Sequence, residues 1–230
     1  MADAFYLGAY WGARPEPAQQ CAARLSRCLG ALATASPALA TWYRKGDSAD
    51  VRYPVGTGAA ELTELLLSGR NRRDMDGSVL EQLGFRAGLW NGGSPAVEFT
   101  VACGASPRGR PQANNALLKF PSAEGEALAL YDLAVMRRVL AAVVEAWDPD
   151  WATVTSHPLR TAQAAAPGTP IVGWLTYLSS PAPASVPPPT TVEPMSAGSL
   201  VVTGRSPLEV SADQVIALRR AADLDNRVTA

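Results

Sequence analysis

The chain has 230 residues, 47% of them hydrophobic and 18% charged. That balance excludes a disordered chain, three cysteines exclude a disulfide scaffold, and no window holds the ~18 consecutive apolar residues of a membrane-spanning helix. A net charge of -1, from 20 basic and 21 acidic residues, excludes a nucleic-acid binder held by bulk positive charge.

Phe5 to Trp11 alternates, and both of its faces are apolar, as in a strand covered on both sides. Pro15 and Pro17 open a helix whose stripe is Cys21, Leu25, Cys28, Leu29 and Leu32, and Ser36-Pro37 stops it. Thr57 is read as the cap of a second helix with Leu62, Leu65 and Leu66 inward, ending at Ser68-Gly69. Phe85–Trp90 and Ala96–Cys103 read as a hairpin around the turn Asn91-Gly92-Gly93-Ser94-Pro95. Ala113–Phe120 adds a third strand, which makes an antiparallel meander.

Tyr131–Trp147 has the clearest helical period, with Met136, Val139, Leu140, Val143 and Trp147 on the core stripe. Strands are expected at Trp151–Thr155, Ile171–Leu178 and Leu200–Thr203, the second of them central because it is apolar on both faces. Pro181–Pro194 is read as a loop or extended cover because of its prolines. Ser211 with Gln214 forms a capping box, with Val210 and Val215 as its staple. The expected class is α+β: a single domain over residues 1–230, its core at about 5–220, with helices packed on a mainly antiparallel sheet.

Catalytic patterns are scarce. The single histidine, His157, stands at the end of a predicted strand with no nucleophile elbow near it, and is read as structural or surface. Cys21, Cys28 and Cys103 with one histidine match no zinc pattern, so no metal or other cofactor is expected, and the cysteines are read as small buried hydrophobes. Glu61/Glu64, Asp74/Asp76, Glu124/Glu126 and Asp148/Asp150 are the acidic pairs, each explicable as a solvated face or turn. Of the six tryptophans, Trp11, Trp147 and Trp174 are read as core, and Trp90, beside the turn, as the exposed one.

Four segments in order resemble the immunity protein 52 family of bacterial polymorphic toxin systems. They are Tyr6-Leu-Gly-Ala-Tyr-Trp-Gly-Ala-Arg14, Trp42-Tyr43-Arg44-Lys45-Gly46, Asp148-Pro149-Asp150-Trp151-Ala152 and Gly173-Trp174-Leu175-Thr176-Tyr177-Leu178. The resemblance implies an α+β immunity protein with no catalytic residues. Its partner would be a cognate toxin delivered by a neighbouring cell, often through type VI secretion, and typically a nuclease of restriction-endonuclease-like fold. The motif residues Tyr10, Trp11, Gly12, Arg14, Trp42, Tyr43, Asp150, Trp151, Gly173, Trp174 and Tyr177 are open to a structural or a toxin-contacting role.

An inhibitor of a basic nuclease groove would use acidic residues. Glu61, Glu64, Asp74, Asp76 and Glu81 lie within one short stretch, interrupted by Arg70, Arg72 and Arg73, and together with Trp90 they are the candidate toxin-binding set. No direct nucleic-acid or membrane partner is expected. With no secretory signal at the N-terminus, the expected location is cytoplasmic. Two other classes stay open. One is a metal-assisted hydrolase, which needs two carboxylate pairs around one metal. The other is a structural subunit, which needs a large exposed apolar patch.

Overall fold

A computed structural model describes residues 4–45, 51–107, 109, 112–180 and 186–226. One antiparallel sheet of ten strands runs through it, with five α-helices among the described residues. The strands are β1 (Ala4–Trp11), β2 (Trp42–Lys45), β3 (Arg52–Val55), β4 (Phe85–Trp90), β5 (Glu98–Cys103), β6 (Asn114–Ser122), β7 (Trp151–Ser156), β8 (Leu175–Leu178), β9 (Thr191–Met195) and β10 (Gly198–Val202). They lie in the order β3-β2-β4-β5-β6-β1-β7-β8-β10-β9. The helices are α1 (Ala18–Ala35), α2 (Ala59–Ser68), α3 (Leu133–Trp147), α4 (His157–Ala162) and α5 (Ala212–Ala221). This is the expected α+β class.

The predicted meander is β4-β5-β6, and β1 is central between β6 and β7. One face of the sheet is covered by a helical layer in which α1 packs between α2 and α3. Each helix turns its predicted stripe inward: Cys21, Leu25, Cys28, Leu29 and Leu32 of α1 and Met136, Val139, Leu140, Val143 and Trp147 of α3 are all buried. The α3 boundary is set by Asp132, whose carboxylate accepts from the Val135 N–H at 3.0 Å, and Tyr131 belongs to a preceding 3-10 turn. Asp148, at φ 46°, ends that helix in the left-handed region.

Over β7 the opposite face is also covered, by segment 163–174 and α4, on which α5 packs. All six residues of β7 are buried. Arg219 of α5, 3% exposed, is satisfied by the Pro170 carbonyl, the Thr169 hydroxyl and the Asp225 carboxylate. The capping box is formed: Ser211 Oγ accepts from the Gln214 N–H, and Gln214 Oε1 from the Ser211 N–H.

Several expectations are corrected. Gly58, not Thr57, stands at the N-cap of α2, and the Thr57 carbonyl instead accepts from the Ser26 hydroxyl at 2.7 Å. The strand expected at Ile171–Leu178 is regular only from Leu175, because Trp174 and Gly173 turn to cross the sheet. His157 opens α4 rather than ending a strand, since the Ser156 hydroxyl caps the Leu159 N–H. The Pro181–Pro194 loop is in part a strand: residues 191–195 form β9, and 181–185 lie outside the described residues. β2, β3 and α4 were not anticipated as elements. Pro54 in β3 and Pro194 in β9 sit in the two outermost strands. A proline there removes a donor from each edge and guards the sheet against edge-to-edge pairing.

Candidate functional site

The family-motif residues first explain the fold. Tyr10 stacks on Trp151 at 4.4 Å between centroids, and Trp11 on Trp147 at 5.5 Å. The Gly12 N–H donates to Asp150 Oδ2 at 2.9 Å, and Arg14 donates to the Trp147 and Asp148 carbonyls at the end of α3. Two segments far apart in sequence therefore lock into one junction. Burial raises the Asp150 carboxyl above its ordinary value, against the lowering effects of the Gly12 N–H and of Arg14.

Gly173 crosses β7 so closely that an added Cβ would lie 2.2 Å from the Val154 carbonyl. Trp174 donates to the Gly204 carbonyl, Tyr177 is buried in β8, and Trp42 donates to the Leu39 carbonyl beneath Phe99. Gly46, the last residue of the second motif, lies outside the described residues. Of the motif residues, Tyr43 is the one that reaches the surface beside Trp90.

Strand alternation carries this further. On the face away from α1, the register aligns Tyr43, Trp90, Glu98, Lys119 and Tyr6 in one row across the sheet. The next row is Gly88, Thr100, Leu117 and Gly8, and the third is Arg86, Ala102, Asn115 and Tyr10. Across β4, β5 and β6 the residues of this face are exposed or half-buried, whereas those of the helix-facing side are buried. A shallow groove of about 460 Å³ runs over Arg86, Gly88, Thr100, Ala102, Asn115 and Leu117.

At its β2–β3 end lies an aromatic–arginine cluster. Trp90 is half-buried, and the other five tryptophans are buried. The Arg52 guanidinium sits 5.5 Å from the Trp90 ring and 5.8 Å from the Tyr43 ring, and donates to the Gly92 carbonyl at 3.0 Å. Gly92, at φ 69°, leaves room for the Tyr43 ring, which a Cβ would meet at 2.5 Å. Asn91 pins the same turn by accepting from the Val97 and Gly93 N–H groups. Arg52 could not be singled out from sequence, because β3 with its central proline does not read as a strand. The signal available was the short run Trp42–Lys45 facing a second short run, Arg52–Val55.

The acidic set is spread over α2 and the segment that follows it. Glu61 and Glu64 are exposed on that helix, and Glu61 Oε1 accepts from the Gly56 N–H at 2.8 Å. Asp74 and Asp76 flank Met75, 99% exposed, at the tip of a short hairpin closed by the Arg72–Val79 bridge. Asp76 accepts from the Ser78 N–H and hydroxyl, which hold its carboxyl below the ordinary value. Glu81 lines a groove with Glu16, Arg70 and Phe85. Arg70 lies over Phe85 and Arg72 donates to the Gly77 carbonyl, so two of the three interrupting arginines have local partners.

All three cysteines are free and buried, and burial pushes the Cys28 thiol up to about 12. His157 is exposed and leans on the Tyr6 ring at 5.3 Å. Among the described residues, no group of three or more His, Cys, Asp or Glu side chains is placed to hold a metal ion, and no helix is long and apolar enough to cross a membrane.

The site is thus one open, side-chain-rich face of a helix-backed antiparallel sheet. The chain belongs to the immunity protein 52 family, whose model matches residues 3–230. Its fold is similar to that of a solved Pseudomonas aeruginosa T6SS protein, PA0821, with a TM-score of 0.53 and 12% identity over 96% of this chain and 75% of that one. No curated protein matches it.

Proposed function

We propose that the chain is a cytoplasmic, non-catalytic immunity protein that binds and neutralises a cognate toxin, a nuclease of restriction-endonuclease-like fold delivered by a neighbouring cell. The carrying observation is the family match over essentially the whole chain. The structural neighbour is a T6SS protein, which is consistent with type VI delivery. A one-sided sheet offering Trp, Tyr and Arg side chains suits protein binding, since these residue types dominate interface energetics.

In this reading the exposed carboxylates of Glu61, Glu64, Asp74, Asp76 and Glu81 steer a cationic toxin during encounter, and Trp90 anchors the complex. Charges at an interface rim act mainly on association rate and its salt dependence. The test is a calorimetric titration against the inactivated toxin domain encoded beside this gene, at two salt concentrations. It is paired with co-expression of the active toxin in a bacterial host while chromosomal DNA is monitored. One-to-one binding and intact DNA are expected. Absence of binding and of rescue overturns the proposal, and rescue with intact DNA in both arms removes the nuclease assignment.

A further inference from the structure

We infer that the open sheet face around Arg52 and Trp90 is the surface that holds the partner, and that it receives a carboxylate-bearing segment of that partner. The inference deepens the toxin-binding reading and rests on it. Preorganisation is the first ground. The Arg52 guanidinium lies against both the Trp90 and Tyr43 rings, and one of its N–H groups is committed to the Gly92 carbonyl. Its remaining donors keep the planar fork that matches a carboxylate, and little side-chain entropy is left to lose.

Charge is the second ground. The face carries Arg52, Arg86 and Lys119 against Glu98, and Lys119 already lies 3.7 Å from that carboxylate. Among the described residues no carboxylate forms an ion pair with Arg52 or Arg86. A segment bearing acidic side chains complements the excess of cationic side chains among the described residues of this face. A second copy of the chain complements it poorly, because a two-fold contact through this face would bring two net-positive surfaces together.

Shape is the third. Gly88 leaves the middle of the face low: a Cβ there would find only Thr100 Cγ2, at 4.0 Å. The segment therefore lies on the face rather than adding to the sheet edge, where Pro54 withholds a donor.

The experiment uses the full chain and the inactivated toxin domain encoded by the adjoining gene, with affinity and dissociation rate measured. Two independent variants are compared with wild type: Arg52→Glu/Arg86→Glu, and Gly88→Gln, which adds bulk where there is room for it. Thermal melting checks that each is folded. We expect the charge reversal to weaken binding by at least a hundredfold and Gly88→Gln by at least tenfold, mostly through faster dissociation. Tight wild-type binding with both folded variants within twofold of it overturns the inference and leaves the immunity reading standing. Absence of wild-type binding removes both. A wild-type dimer in sedimentation that Arg52→Glu/Arg86→Glu converts to monomer also overturns it, by assigning the face to self-association.

Discussion

The two halves of the sheet are built to opposite rules. Around β7 and β8 both faces are covered, every residue is buried, and the chain crosses at Gly173 with no space for a methyl group. Around β4 and β5 one face is covered, burial alternates along each strand, and Gly88 opens onto free space. The first half is packed to the density at which a single carbon is felt. The second keeps exposed and half-buried side chains along its open face. Covering both faces of a sheet buries every side chain in it, and leaving one bare keeps half of them in contact with solvent.

The largest effect that sharpens this comparison is at the glycines. Gly173→Ala must displace the backbone of β7, and we expect a loss of about 3 kcal/mol or more in chemical denaturation, at the high end for single substitutions. Gly88→Ala should change stability by less than about 0.5 kcal/mol, the usual range for a surface change away from special features. Equal effects at the two positions would break the comparison.

Tryptophans give the next contrast. Trp11→Ala removes a fully buried ring stacked on Trp147, at an expected cost of about 3–5 kcal/mol. Trp90→Ala should cost clearly less stability but about 2 kcal/mol or more of toxin binding, the size of an interface hot spot. A Trp90→Ala variant that melts like Trp11→Ala and binds normally once folded would move Trp90 into the structural class.

A smaller effect concerns pH at the junction of β1 and β7. Burial lifts the Asp150 carboxyl above its ordinary value of 3.8, so the folded state binds its proton more readily than the unfolded state does. Ionised Asp150 therefore costs the fold at neutral pH. That cost is relieved as pH falls through the folded value toward 3.8. Asp150→Asn keeps an acceptor for the Gly12 N–H and lacks the titration. Wild type should thus gain stability relative to Asp150→Asn on acidification through that window, as read from denaturant midpoints at neutral and acidic pH. A constant or reversed difference would contradict the assignment.

The smallest stability effect is expected on the acidic side of α2. Glu64→Arg should leave melting unchanged within about 0.5 kcal/mol while slowing toxin association and flattening its salt dependence. Glu61→Arg should cost slightly more stability, since that carboxylate also accepts from the Gly56 N–H.

What could be read from the sequence alone was local. The 3.6-residue stripes of α1 and α3 name their own buried faces, Asn91-Gly92-Gly93 announces its hairpin, and Ser211 with Gln214 announces the start of α5. Each is set by groups within a few residues of one another. The family motifs were legible as well, although their meaning was not: Gly12 meets Asp150 across 138 positions, and spacing in sequence carries no trace of that hydrogen bond.

Tertiary structure alone decided the rest. β2 and β3 exist because a sheet edge was available to pair them, despite a proline that argues against a strand. Alternation in β4 and β5 establishes two different faces but not what covers the polar one, because that depends on where α4, α5 and segment 163–174 pack. They pack over β7, and the face bearing Trp90, Gly88 and Arg86 is left bare.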